Sequence, residues 1–428
     1  MQKFILIEPA IEGWTGHYYE YSTRVCRAAN EMGYHAYLAV NKKFQDSENA
    51  ELNFISTYRM GQRLVPKKFP LYYFFRRFKQ KNIKLVTTNN SLTITQKNKK
   101  ERFKHFIKAI FTRYKIKAFT KDTANLFTQL PLQQNDVVFI PTTTENELMG
   151  LIHFFKQNTD YQKAAWHLLF HSDIYTDQLK KALHLLQTMK CNNVFFYTDT
   201  DPLTKLYNQL NLVSFNTLPI PIEKNFGENN AIAKKDKLFI NYIGDARTEK
   251  GYHHLPKIIN EIQKKTPRPI HFTVQSNFNI EEGEPAAVAA RRILETYPAE
   301  LVTLLMQPLS PTDYRELVLR SDIILLPYDN TAYSARSSGI FTEALVAGIP
   351  VIVPQNSWMS SQLNEFKITK TELPEFAGEI YLTSESISES LLKVISQYDA
   401  YEQTAKWVSE KWLDFHNPQR LLSHLFSK

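Results

Sequence analysis

The chain has 428 residues, only two cysteines and a formal net charge of +9, a length that suits two domains of ordinary size, each burying its own core. Cys26 and Cys191 are too few for a disulfide scaffold or a cysteine zinc cluster and fit a reducing compartment. No stretch reaches the roughly 18 uninterrupted apolar residues of a membrane span, and the opening run KFILIE is broken too soon by Glu8 and Glu12 to be a signal peptide, so a cytoplasmic protein is expected.

Taken in chain order, short apolar strands alternate with helical stretches, the pattern of parallel α/β units. In the first half, strands are predicted near 3–8, 35–40, 136–140, 164–170 and 194–199, with a helix over 17–32. The stretch LPIPIEKNFGENNAIAKKDK (218–237) holds two prolines and no apolar period, which reads as an interdomain linker. Beyond it, strands are predicted near 238–243, 270–275, 302–306, 322–327, 351–353 and 379–382, and helices over 252–265, 285–297, 311–320, 339–347 and 386–398. The fold class expected is α/β, with two doubly wound, Rossmann-like domains over 1–220 and 237–400.

The charge is concentrated. Residues 67–121 carry 17 Lys or Arg against one acid, Glu101, so the remainder of the chain is net acidic. Aromatic residues interleave with the cations in FPLYYFFRRFKQKNIK (69–84) and KKERFKHFIKAIFTRYKIKAF (99–119). In the second stretch Phe103, Phe106, Ile107, Ile110, Phe111 and Tyr114 recur every three or four residues, an apolar stripe on a basic helix. Such a helix either packs its stripe on its own domain with the cations solvated, or lays it on an anionic membrane surface. Nucleic acid is the weaker third reading.

Glycine is scarce, 12 in the chain against a usual share near 7 %, so its placement is informative. Gly13 and Gly16 follow the first strand in EPAIEGWTGHYYEY, Gly244 and Gly251 bracket GDARTEKG, and Gly339 and Gly348 flank the helix of SSGIFTEALVAG. Each loop lies where a strand delivers the chain to a helix start, the edge at which open α/β sheets bind ligands. Arg247 and Lys250 are three apart, able to aim an Arg fork and a Lys point charge at one diphosphate, against the plainer reading of a solvated turn. Ser337, Ser338 and Gly339 offer backbone N–H groups and a positive helix end to an anion. Glu343, one turn on and among apolar neighbours, is suited to two vicinal hydroxyls such as those of a ribose.

GDARTEKG followed about ninety residues later by SSGIFTEALVAGIPVIVP resembles the donor half of a retaining glycosyltransferase of the GT-B fold, near family 4. The resemblance is specific over 238–354 and elsewhere extends to the order of elements and loop positions. It implies two domains facing across a cleft. A nucleotide-diphosphate-sugar donor is held by the second and a glycan or lipid-linked acceptor by the first, with retention of anomeric configuration. It implies that Arg247 and Lys250 hold the diphosphate and that Glu343 holds the ribose. The family usually has a further glutamate upstream, separated from this one by seven residues and contacting the transferred sugar, and that position is Ala335 here. Tyr333 and Arg336 flank the gap as substitutes.

In the first domain GWTGHYYEY resembles the loop that covers the donor from the opposite side, which makes Gly13, Gly16 and His17 donor contacts. His171, at the end of WHLLFHSDIYTD, matches a histidine that touches the sugar and is better placed than His167 inside the strand, with His17 as its rival. Asp173 beside it is an acceptor contact, while TTTEN (142–146) suits either substrate. The pair of cations and the helix end supply the charge a departing diphosphate needs, so no cofactor and no metal is expected, and DTD (199–201) reads as a turn. The stretch 401–428 is expected to return to the first domain, as in similar proteins. A nucleotide-sugar epimerase of the same fold and a catalytically silent nucleotide-sugar-binding protein are the competing readings. The basic, aromatic first domain favours a transferase in polysaccharide biosynthesis, peripheral on the inner face of the membrane.

Overall fold

The computed structural model describes residues 2–14, 16–45, 51–60, 93–173, 176–227, 237–278, 280, 282–369 and 372–428. Of the basic aromatic segment 67–121, residues 67–92 and the side chains of 93–108 lie outside the described part, as do linker residues 228–236.

Two parallel sheets organise the described residues. The first runs β3 (Asn53–Tyr58), β2 (His35–Asn41), β1 (Lys3–Ile7), β4 (Asp136–Ile140), β5 (Ala164–Phe170), β6 (Val194–Thr198), β7 (Phe215–Thr217). The second runs β10 (Val302–Leu305), β9 (Ile270–Gln275), β8 (Leu238–Tyr242), β11 (Ile323–Leu325), β12 (Val351–Pro354), β13 (Gly378–Tyr381). Both are doubly wound, and each reverses its direction of growth at one seam: β1 against β4, and β8 against β11. At such a switch point the loops that leave the strand ends diverge and open a crevice.

Strands covered by helices on both faces read as unbroken apolar runs rather than alternating ones. KFILI of β1 and DVVFI of β4 do so, and every residue of both is buried. At the amino edge of their seam the buried Lys3 ammonium lies 3.0 Å from Asp136 Oδ2, while the Lys3 N–H donates to Oδ1 at 3.0 Å. The pair ties the two strands where no ligand chemistry is expected and leaves the carboxyl edge to the loops.

β3 and β7 lie outside the strands expected from sequence. NFISTY alternates weakly and FNT is three residues long; β3 pairs only with β2 and β7 only with β6, at the two edges of the sheet. Edge strands bury one side and carry no strong apolar signal.

The chain crosses between the domains twice. After β7 the Ile220 N–H donates to His416 Nδ1 at 3.0 Å, at the end of α12 (Tyr398–Phe415). The last helix, α13 (Pro418–Phe426), capped by Asn417, buries Leu421, Leu422 and Leu425 in the same cluster as Phe4 and Val25 of the first domain. It packs on α1 (His17–Glu31), with Phe426 stacked on Tyr34 at 3.8 Å.

Candidate functional site

The loop after β8 is tied to its neighbours by close backbone approach. Gly244 has φ +116°, a conformation that L side chains rarely adopt, and its N–H donates to Gln275 Oε1 at 2.7 Å. A Cβ at Gly244 would stand 2.7 Å from Lys250 Nζ and 3.1 Å from Ile340 Cδ1. That glycine is therefore where the lysine and the first turn of α9 (Gly339–Val346) meet. A Cβ at Gly251, φ +69°, would overlap the Pro327 carbonyl oxygen, so the loops after β8 and β11 touch backbone to backbone.

Three cations and two carboxylates share this corner. Asp245 Oδ1 lies 3.2 Å from Arg247 Nε and 3.1 Å from Lys250 Nζ. Glu249 Oε1 lies 2.9 Å from Arg247 Nη1 and 3.5 Å from Arg336 Nη2. Burial pulls the Lys250 pKa below its ordinary value, against the pull of Asp245, whereas the two carboxylates outweigh burial at Arg247 and hold its pKa up. The Arg247 Nε, although close to Asp245, has no aligned hydrogen-bond partner among the described residues. The corner thus carries one positive charge in excess, with a guanidinium edge still to be satisfied.

Ser338 caps α9, its Oγ accepting the Phe341 N–H at 3.3 Å. Gly339 is exposed, and nothing lies within 4 Å of where its Cβ would be, so the positive end of the helix opens onto free space. Tyr333 is buried, its ring 4.5 Å from that of Tyr328 and beneath the Arg336 guanidinium at 4.9 Å. Here Tyr333 orients Arg336 from below. One turn along α9, the Glu343 carboxylate accepts the Tyr314 hydroxyl from α8 (Pro311–Leu319). Burial pushes its pKa up to about 7, moderated by that bond and by Arg24 of α1.

The first sheet presents its own polar edge. Gly16, φ +102°, starts α1, and neither Gly13 nor Gly16 has an atom within 4 Å of a built Cβ. His17 stands on the exposed surface of α1, yet protein crowded around it lowers its pKa to about 4, helped by the positive charges of His171 and Arg24. Glu8, at the end of β1, is buried and pushed up to about 7. His171 Nδ1 lies 2.9 Å from Asp199 Oδ2 and Nε2 lies 2.7 Å from the Pro141 carbonyl oxygen. Both partners are acceptors, so both ring nitrogens donate and the ring is an imidazolium. Burial opposes that charge, but Asp199 outweighs it and raises the pKa. His167 is buried within β5, bonded to the Tyr197 hydroxyl at 3.0 Å, with its pKa lowered to about 3 by burial.

Asp173 lies two residues beyond His171, and the Thr176 Oγ1 caps α4 (Asp177–Met189). Thr144, Glu145 and Asn146 of TTTEN cap α3 (Glu145–Gln157) or bond to Thr176 and Gln178.

The two edges meet at DTD. Thr200 caps α5 (Asp201–Asn208), as a turn residue should, and its Oγ1 also donates to the Ala335 carbonyl at 2.5 Å across the domains. Ser337 donates its hydroxyl to Asp199 Oδ2. Ala335 itself is buried in the core cluster of the first domain. The structure thus brings Arg247, Lys250 and Arg336 together around the loop after β8, which meets the first turn of α9 at Ile340, and leaves Glu343 one turn along that helix against Tyr314. It joins His171 to Ser337 through Asp199, which the sequence presents only as part of a turn. The available signal was an acid at the carboxyl end of a strand. Tyr314 carried no signal at all.

Among the described residues, no group of three or more His, Cys, Asp or Glu could hold a metal ion. A cavity of about 650 Å³ opens beside the loop after β8, lined among others by Thr248, Glu249, His254, Tyr328 and Asp329. A slightly larger one, about 700 Å³, lies against Arg268, Pro374, Tyr398 and Tyr401 and shares none of these residues.

No protein-family model matches the chain, and no curated protein matches it. Solved structures do. A trehalose-6-phosphate protein of E. coli bound with UDP-2-fluoro glucose superposes with TM-score 0.66 at 10 % identity, covering 100 % of this chain and 99 % of that one. Sucrose-phosphate synthase of Thermosynechococcus elongatus gives 0.61 at 12 % identity over 100 % and 98 %. The catalytic domain of starch synthase IV of Arabidopsis thaliana, bound to ADP and acarbose, gives 0.63 at 10 % identity over 100 % and 98 %. At such identities the likeness is one of fold, and the chain has the GT-B fold of these glycosyltransferases.

Proposed function

We propose that the chain is a glycosyltransferase that moves a sugar from a nucleotide-diphosphate-sugar donor to a glycan or lipid-linked acceptor, with retention of configuration and without a metal ion. The observation that carries this reading is the convergence at Gly244, where Lys250 Nζ and the first turn of α9 face one another across a residue without a side chain. Breaking the bond between an anomeric carbon and a diphosphate leaves negative charge on the departing oxygens. Preorganised donors aimed at such a group contribute 10²–10³-fold each, by order of magnitude. Arg247 and Lys250 are the cations for that task, and the open N–H groups near Ser338 and Gly339 complete the cradle. Glu343 takes the ribose hydroxyls. Gly13, Gly16 and His17 cover the donor from the first domain, His171 stands opposite as a fixed cation, and Asp173 faces the acceptor.

Helix α2 (Thr93–Gln129) exposes Ile110, Arg113, Tyr114, Lys117 and Lys121 on successive turns, a basic and apolar face that suits an anionic membrane surface. An acceptor carried on that surface would be met by the first domain, with the enzyme on the cytoplasmic side. Among the described residues no helix is long and apolar enough to cross a membrane.

Because similar structures were solved with UDP-2-fluoro glucose and with ADP, uridine and adenosine diphosphate sugars are the first donors to test. The assay is release of labelled sugar to water or to lipid-extracted acceptor. Turnover that falls about 100-fold in Arg247→Ala supports the reading; turnover indifferent to both Arg247→Ala and Glu343→Ala contradicts it.

A further inference from the structure

Asp199 has no part in the reading above, yet its surroundings call for one. It is 8 % exposed, at the carboxyl end of β6, and its Oδ2 accepts both the His171 Nδ1–H and the Ser337 hydroxyl. Its Oδ1 is buried and has no hydrogen-bond partner among the described residues. Burial opposes its ionisation, but the positive charge and hydrogen bond of His171 more than offset this and keep the carboxyl below its ordinary range. A buried, ionised oxygen left without a donor is rare in native proteins and calls for one.

Its position says which group. Ser337 immediately precedes the cap of α9, whose open end faces the diphosphate cradle. A sugar ring attached to the outer phosphate must lie within about one ring's reach of that end. Asp199 is the first-domain carboxylate bonded directly to that loop. The loop brings no carboxylate of its own to this spot: the Ala335 side chain is buried in the first-domain core and its carbonyl is occupied by Thr200.

We propose that Asp199 binds the transferred sugar, its Oδ1 accepting a ring hydroxyl of the nucleotide sugar, an assignment that rests on the donor reading given above. His171 is the positioning residue: with Nε2 fixed on Pro141 and Nδ1 on Oδ2, it holds one oxygen of the carboxylate and leaves the other for the ligand. The hydroxyl is received on Oδ1 while the Ser337 hydroxyl stays on Oδ2.

The test is calorimetric titration of the full chain with UDP-glucose, UDP, ADP-glucose and ADP. The wild type should bind one sugar nucleotide more tightly than its bare diphosphate. Asp199→Asn should weaken that sugar nucleotide about 10- to 100-fold, the worth of a hydrogen bond to a charged group, and leave the diphosphate within about 2-fold. An equal loss for both ligands, or no loss, overturns the proposal while the donor reading stands. If the wild type binds none of the four, the donor reading itself has failed. A structure of the wild type with the sugar nucleotide reads the same claim without a variant: a sugar hydroxyl at about 3 Å from Oδ1 supports it, and a sugar held away from Asp199 overturns it.

Discussion

The Tyr314 hydroxyl of α8 donates to the Glu343 carboxylate of α9, and burial around that pair pushes the Glu343 pKa from 4.5 up to about 7. Between those values the folded state keeps a proton that the unfolded chain releases. The associated stability is complete below about pH 4.5 and is lost as pH rises through about 7. Glu343→Gln cannot ionise and still accepts from Tyr314. Its melting temperature should exceed that of the wild type at pH 8, by the equivalent of about 3 kcal/mol, and lie close to it near pH 5. Nucleotide affinity should fall about 10-fold through loss of the ribose contact. Melting curves that shift equally at both pH values would show that the carboxyl is not held neutral by the fold.

Gly244→Ala sets a methyl 2.7 Å from Lys250 Nζ at φ +116°. The strained backbone costs about 1–2 kcal/mol, and the displaced lysine is the larger functional loss. Diphosphate affinity should fall by at least about 10-fold while the melting temperature drops only a few degrees. An unaltered affinity, measured by titration calorimetry, would mean that Lys250 does not face the ligand from this side.

The His171 ring donates from both nitrogens and has a pKa above its usual 6.5, because Asp199 outweighs the burial that opposes the charge. Its contribution to stability is therefore present below pH 6.5 and is lost as pH rises through the raised value. The groups facing it are Asp199, Glu8 and His17. Nitrogen-15 spectra should show two protonated ring nitrogens for His171 at pH 6 and a neutral His17, whose pKa is near 4. A single protonated nitrogen on His171 at that pH contradicts the Asp199 geometry.

Leu422 of α13 is fully buried with Phe4 and Val25. Leu422→Ala should destabilise by about 2–5 kcal/mol, a loss felt by the first domain although the residue follows the second in sequence. Chemical denaturation that moves by less than about 0.5 kcal/mol would show that α13 is not part of that core.

The architecture was legible where burial on both faces leaves an unbroken apolar run, as in KFILI, DVVFI and VIVP, all fully buried strands. It was illegible at the edges, where NFISTY and FNT owe their conformation to a single neighbouring strand. Glu343 announced itself because a carboxylate inside IFTEALV has no packing reason to be there. Asp199 did not. Thr200 is a sufficient local reason for the turn, and the partner that changes its meaning, Ser337, is 138 residues away. Nor does spacing show that Asp245 and Glu249 already hold the two cations of GDARTEKG.

The account depends on Arg247, Lys250 and the start of α9 gripping a diphosphate. Titration calorimetry of UDP and ADP into the wild type, Arg247→Ala and Lys250→Ala measures this directly. The predicted result is binding of at least one of the two by the wild type, weakened about 10- to 100-fold by each substitution. Absence of binding by the wild type, or binding that neither substitution changes, contradicts it.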